Sequence, residues 1–204
     1  MTQDELNRKL LETIRRGGTV EAVAALLEDG ANPNAKDGDE SALYLAFTPW
    51  DIEESVRQGI IRALVGAGAD INAADAMGQT ALHMAVYDAN LANVKLLLSL
   101  GANPDGNPDC SGKDFKDCEC LTPLQAAVSG THGSSPAIAR ALLKGGANPN
   151  VRTKDDRTIL DLCSTDCARI KPLLQQAMQD GPRPAKAPAK RKVSPCGKGP
   201  VPTP

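Results

Sequence analysis

Thr80-Ala81-Leu82-His83-Met84-Ala85 and, twenty-one residues after its threonine, Gly101-Ala102-Asn103-Pro104-Asp105 are the two phrases that decide the fold. Thr80 is an N-cap residue, its hydroxyl suited to the free amides of a first helical turn, and a short helix follows as far as Tyr87. Leu91 to Leu100 form a second helix, ended by Gly101 in the left-handed conformation that glycine adopts cheaply. The stretch before them, 72–79, is a polar turn. One unit is therefore a turn and two antiparallel helices.

Outward from this unit both phrases recur. The glycine phrase reads Gly30-Ala31-Asn32-Pro33-Asn34, Gly68-Ala69-Asp70-Ile71-Asn72 and Gly146-Ala147-Asn148-Pro149-Asn150. The helix opening reads Ser41-Ala42-Leu43-Tyr44-Leu45-Ala46, Thr122-Pro123-Leu124-Gln125-Ala126-Ala127 and Thr158-Ile159-Leu160-Asp161-Leu162-Cys163. Self-similarity at about 33 residues means a stack of like units, each burying its apolar face against its neighbours. Aromatics are only 2% of the 204 residues while Ala and Leu are abundant, which suits thin helical layers rather than a deep core. In the first unit Leu6, Leu10, Leu11 and Ile14 fall at helical spacing, Gly17-Gly18 stops that helix, and Thr19 caps a second carrying Val20, Val23, Leu26 and Leu27.

The polar turn, the Thr-x-Leu-His opening and the Gly-Ala-Asp-x-Asn ending together resemble an ankyrin repeat. The resemblance implies an all-α solenoid of helix-turn-helix units with β-turn fingers, here over residues 1–180. Its units run at about 1–34, 35–72, 73–105, 106–150 and 151–180, the outer two degenerate as capping repeats are. It also implies that His83 bonds backbone between neighbouring turns, as scaffold rather than catalyst, and that Tyr87 faces the groove. Turn residues Lys36, Asp37, Ala74, Ala76, Met77, Arg152, Lys154 and Asp155 would line the remainder of the concave face.

The spacing also departs from the template. From Ser41 to Gly68 is 27 residues against 21 from Thr80 to Gly101, so an enlarged interhelix loop is expected around Thr48-Pro49-Trp50-Asp51-Ile52-Glu53-Glu54. From Gly101 to Thr122 is 21 residues against 12 from Gly68 to Thr80, which makes 106–120 a long protruding finger. Unit four also gains residues near 129–136. In unit five Asp156 replaces the turn glycine and Cys163 the expected Ala, while Pro172 suits the first turn of a last helix. Beyond Asp180, seven prolines in 24 residues with Ala, Lys and Gly bury no core, and 181–204 is expected to be disordered.

Formal charge is −2 overall but unevenly spread. The segment 181–204 holds six Lys or Arg and no Asp or Glu, leaving seventeen basic against twenty-five acidic residues, a balance of −8, in the remainder. No apolar run approaches the roughly 20 residues that span a bilayer, and Met1 to Arg16 is charged and amphipathic rather than a signal peptide. A cytoplasmic protein without a membrane segment is expected, with the nucleus as the alternative if it is eukaryotic, and its six cysteines reduced. Lys190-Arg191-Lys192 with Ser194-Pro195 has the form of a weak import signal beside a phosphorylation site, but a short basic run is more often a solubilising tail. No folded segment resembles a reader of nucleic acid.

The chemistry-bearing residues are few. Cys110, Cys118 and Cys120 on one finger could take a soft metal or close a disulfide, but zinc wants four ligands and the Cys-x2-Cys knuckle is absent. Asp105-x-Asn107-x-Asp109 imitates the opening of a calcium loop, with Cys110 where the glycine and Lys116 where the glutamate belong. No nucleophile and base pair is visible, so no enzyme, cofactor or small-molecule substrate is expected. Trp50 and Phe115 sit on insertions that no core requires, which with Tyr87 makes them candidate anchors for a protein partner, Trp50 reading equally as a shield folded back over its own helices. The expected function is a non-catalytic protein, monomeric alone, that binds another protein as adaptor, scaffold or inhibitor. The alternative is a metal- or redox-responsive regulator using the finger 106–120.

Overall fold

The computed structural model describes residues 1–48, 52–106, 121–129, 135–153, 155–163 and 170–181. Their helices are α1 (Gln3–Arg15), α2 (Val20–Glu28), α3 (Ala42–Leu45), α4 (Glu54–Ala67), α5 (Ala81–Tyr87), α6 (Leu91–Ser99), α7 (Pro123–Ser129), α8 (Pro136–Gly145) and α9 (Lys171–Asp180). A two-stranded hairpin of β1 (Lys36–Asp37) and β2 (Glu40–Ser41) pairs antiparallel ahead of α3. The helices stack in two layers. α1, α3, α5 and α7 lie side by side, each against its own second helix, while α2 packs on α4 and α6 on α8.

Local chemistry explains these elements. Thr2 and Glu5 form a reciprocal capping box on α1, and Thr19, Ser41, Asn90 and Ser135 each accept a first-turn amide through a side-chain oxygen. The apolar stripe of α1 buries Leu6, Leu10 and Ile14, and one continuous core runs from Leu6 to Leu174 through Leu43, Ile60, Leu82, Leu97, Leu124 and Leu142. Asn93 of α6 interrupts that core. It is fully buried and neither its amide oxygen nor its nitrogen finds a partner among the described residues, a cost of about 1–3 kcal/mol.

The repeated glycine phrase does more than end helices. Gly30, Gly68, Gly101 and Gly146 take φ of 99°, 109°, 98° and 100°, the left-handed turn-off expected of them. The third residue of each phrase then folds its side chain onto the backbone amide two residues on: Asn32 to Asn34 at 2.9 Å, Asp70 to Asn72 at 3.0 Å, Asn103 to Asp105 at 3.2 Å and Asn148 to Asn150 at 3.0 Å. The last residue reaches the next phrase. Asn34 Oδ1 accepts from the Asp70 amide at 2.7 Å, Asn72 Oδ1 from Asn103 at 2.8 Å, and Asp105 Oδ1 from Asn148 at 2.7 Å. For the first phrase α1 supplies the rung, Asn7 Oδ1 accepting from Asn32 at 2.8 Å and Gln3 Nε2 donating to the Gly30 carbonyl at 2.9 Å.

This ladder carries a prediction. Asn72→Ala leaves the Asn103 amide without its partner and is expected to cost about 1–2 kcal/mol, read as a lower urea midpoint. Asn150→Ala, whose side chain makes only a 3.5 Å contact to the Met178 carbonyl among the described residues, is expected to stay within about 0.5 kcal/mol of the parent. Equal shifts for the two would refute a stabilising ladder.

One expectation is met with a change in the flanking helices, and one needs correction. The connection between the helices of 41–68 is enlarged as expected, running over 46–53 against 88–90 in the next unit, while α3 is shortened to four residues and α4 extends to fourteen. Ile60, Ile61 and Leu64 hold the buried places that Asn93, Val94 and Leu97 hold on α6, and the added first turn of α4 buries Arg57. In unit five the helix opening keeps its cap but not its helix. Thr158 and Asp161 bond reciprocally, yet the described residues 159–161 form a turn and 162 a bend, as the poor helix former Asp161 allows.

Candidate functional site

The seam between the α3–α4 and α5–α6 pairs holds a groove of about 890 Å³. It is built from the sequence in three pieces. α3 stops at Leu45 and the chain turns at once, Phe47 donating its amide to the Tyr44 carbonyl at 3.0 Å, which sets Tyr44 and Phe47 on the wall. α4 contributes Glu54 and Arg57, with Ile52 just before it. Met84, Tyr87, Asp88 and Asn90 come from the end of α5 and the turn beyond, and Gln79 and Leu121 close the ends.

Arg57 anchors this wall from inside. It is only 6% exposed, and its Nη1 donates to the Ala46 carbonyl at 2.6 Å while the guanidinium carbon lies 5.8 Å from the centre of the Phe47 ring. Its Nε is 3.9 Å from the Glu54 carboxylate. A buried cation needs such partners, since an uncompensated charge in low dielectric is very costly. Glu54 in turn accepts from Asn90 Nδ2 at 2.8 Å, tying α4 to the cap of α6. Ala89, between Asp88 and Asn90, is held at φ 51°, a left-handed conformation uncommon for a residue with a Cβ.

The floor is set by His83. The Thr80 amide donates to His83 Nδ1 at 3.0 Å, so Nδ1 is the acceptor and the proton sits on Nε2, which donates to the Leu121 carbonyl at 3.1 Å. Both nitrogens are engaged, and burial pushes the imidazole down to about 4, so it is neutral near pH 7. Its scaffold role matches the expectation. Its ring lies 6.5 Å from that of Tyr87.

Tyr44 occupies the equivalent position in the preceding unit and behaves differently. It is half-buried, and its hydroxyl reaches no partner among the described residues. Burial raises its pKa, and so do the nearby negative charges of Asp75 and Glu40.

Other candidates named from the sequence are dispersed. Tyr87 lines the groove, half-buried. Ala76 and Met77 sit at the tip of the neighbouring finger, Met77 52% exposed, on a turn in which Asp75 Oδ1 accepts from the amides of Met77 and Gln79 at 2.8 Å each. Lys36 and Asp37 belong to a separate, charged hollow of about 870 Å³ against α1, where Asp37 pairs with Arg15 at 2.7 Å in a half-exposed bridge of little energetic weight. Arg152 folds back on its own turn, 2.8 Å from the Asp156 carbonyl and 3.1 Å from its carboxylate. Asp155 is exposed beside it, and Ala74 is half-buried in a bridge to Thr80. Trp50, Phe115, Lys154 and the cysteines Cys110, Cys118 and Cys120 lie outside the described residues. Among the described residues no three His, Cys, Asp or Glu side chains gather as a metal set, and no helix is long and apolar enough to cross a membrane.

Sequence reasoning missed Tyr44, Phe47, Glu54, Arg57, Met84 and Asp88. Two signals pointed there: a tyrosine standing where the next unit has its histidine, and an arginine one turn before Ile60 and Ile61 on the buried stripe of α4.

A family model described as "Ankyrin repeats (3 copies)" matches residues 10–108 and, overlapping them, 52–153. The chain is 36% identical over 107 residues to human SH3 and multiple ankyrin repeat domains protein 2, covering 52% of this chain and 5% of that protein. It is 29% identical over 174 residues to mouse Rabankyrin-5, covering 69% and 14% respectively. A third similarity, 37% over 114 residues, is to glycerophosphocholine phosphodiesterase gde1 of Schizosaccharomyces pombe, covering 55% of this chain and 9% of the enzyme. The chain thus spans a small fraction of the length of each relative.

Proposed function

The chain belongs to the ankyrin-repeat family, and from that premise we propose that it is a non-catalytic adaptor, scaffold or inhibitor that holds another protein on its fingers and in the groove between α3–α4 and α5–α6. A role in protein interaction follows from the family. The observation that carries the finer reading is the groove wall, which gathers Tyr44, Phe47 and Tyr87 with Met84 and Ile52 on a scaffold already held by the Arg57, Glu54 and Asn90 bonds. Aromatic side chains fixed in advance lose little entropy on binding and tend to dominate interface energy. Tyr87 and Met77 are the proposed anchors among the described residues, with Trp50 and Phe115 on the two insertions, and Ala76, Lys36, Asp37, Arg152 and Lys154 as outlying contacts. The likeness to gde1 lies in that enzyme's repeats and brings no catalytic residues with it. The three finger thiols of the metal- or redox-responsive reading lie outside the described residues, and no other observation favours it.

Affinity capture of the full chain with chemical crosslinking tests the proposal. A partner is expected to be retained with crosslinks on the fingers and groove, and the double change Tyr87→Ala with Met77→Ala is expected to lower capture about tenfold. Absence of any specific partner, or capture indifferent to both changes, overturns it.

A further inference from the structure

Three first helices carry, at their third residue, a side chain in position to reach the next unit. In α5 it is His83, donating to the Leu121 carbonyl at 3.1 Å, and in α7 it is Gln125, whose Nε2 donates to the Val151 carbonyl at 2.9 Å. Each also receives the amide of its own cap, Thr80 and Thr122. In α3 the residue is Tyr44, which makes neither bond. The unit boundary behind it therefore lacks, at this position, the bond that the next two have, while the Asn72–Asn103 rung and the Glu54–Asn90 bond still cross it, and a half-buried phenol lines the gap with its hydroxyl bonded to no described residue. That hydroxyl is open to water, which a polar group entering the groove can replace. Here the partner would come from outside.

Charge narrows what that partner is. Glu54 and Asp88 line the groove, and Asp75 and Glu40 add negative potential at Tyr44. The cation in the lining, Arg57, is already held by the Ala46 carbonyl, the Phe47 ring and Glu54. Outside the C-terminal segment the chain carries a balance of −8. An acidic segment would be repelled, and a wholly apolar one would strip water from carboxylates without replacing it. Resting on the protein-interaction reading above, we propose that the seam at Tyr44 takes an extended segment of a partner protein carrying a lysine or arginine between apolar side chains. The apolar groups lie on Phe47, Ile52 and Met84, and the basic head reaches the Tyr44 hydroxyl oxygen and the acidic rim. The long stem of a basic residue suits such a surface, apolar along its length and charged at its tip.

The test uses the full chain and fluorescent synthetic peptides of about twelve residues, a length that fills one groove. One carries a central Leu-Lys-Leu-Arg, a second has Glu for both basic residues, and a third has Ala for both leucines; a longer fourth peptide is the chain's own 182–204. The basic, leucine-bearing peptide is expected to bind with micromolar affinity and to weaken several-fold as salt rises. Its affinity is expected to fall about tenfold in Tyr44→His, which restores the bolting side chain, and about threefold in both Tyr44→Phe and Asp88→Asn. Tyr44→Phe keeps the ring and so guards against misfolding of the histidine variant. Equal binding of the glutamate peptide, or indifference to Tyr44→Phe and Asp88→Asn together, overturns the proposal. Tighter binding of the 182–204 peptide overturns it too, by assigning the groove to this chain's own C-terminal segment. A captured partner that ignores Tyr44→Phe sinks this assignment alone and leaves the interaction role standing.

Discussion

Lowering the pH from 7 to 4 is expected to strip about 3 kcal/mol from the fold through His83 alone. The folded imidazole titrates at about 4, because burial penalises its cation, against an ordinary value of 6.5. The unfolded chain therefore binds a proton that the folded chain refuses at every pH between the two values. By linkage, stability rises with pH through that window and is fully present above it. His83→Gln is expected to flatten the dependence, since Gln125 shows that a glutamine makes the same two bonds one unit on. Asp105 works in the opposite sense. Burial raises its carboxyl above the ordinary range, so its ionisation costs stability as pH rises through that range, and the glutamine variant should expose this weaker slope. Urea midpoints measured from pH 4 to 8 decide the matter, and a slope unchanged in His83→Gln would remove His83 from the account.

Gly106→Ala is expected to destabilise the chain by about 3 kcal/mol. Gly106 has φ 76°, and a Cβ built on it would lie 2.5 Å from His83 Cε1 and 3.3 Å from Pro123 Cδ. His83 cannot retreat without breaking its bonds to Thr80 and Leu121. Gly30→Ala is the control: it shares the left-handed φ, at 99°, but its Cβ would meet nothing within 4 Å, so about 1 kcal/mol is expected from backbone strain. If the two variants lose the same amount, close approach at His83 is not what requires the glycine.

Much of this architecture was legible because it is local. Thr80, Thr19 and Ser41 announce helix starts through nearby amides, and Gly30, Gly68, Gly101 and Gly146 announce their ends through a conformation that glycine adopts readily. Asp156, read as standing in for a turn glycine, takes φ 60°. What could not be read is what joins distant residues. The rung from Asn34 to Asp70 spans 36 positions and that from Asp105 to Asn148 spans 43, and no periodicity says which amide a given side chain will meet. The glycine phrase therefore read as punctuation when it is also the bolt between units. The groove was hidden for a similar reason: Arg57 looks like an error in an apolar stripe until the Ala46 carbonyl and the Phe47 ring arrive beside it from the end of α3. Tyr87 was found from the template, whereas Tyr44 needed the observation that its neighbours bond across a boundary and it does not.

That unbolted boundary has a mechanical meaning. In a linear array, stability is the sum of what each unit and each interface contributes, so cooperativity breaks at the thinnest interface. α3 lies against α5 more lightly than α5 lies against α7, and the side-chain bolt is missing at the same place. The Asn72 rung and the Glu54–Asn90 bond are left to hold the two halves in register. The first half, through α4, and the second, from α5 onward, should then behave as two blocks on a hinge, exchanging their amides as separate groups, and a segment seated across Tyr44 would act as a splint.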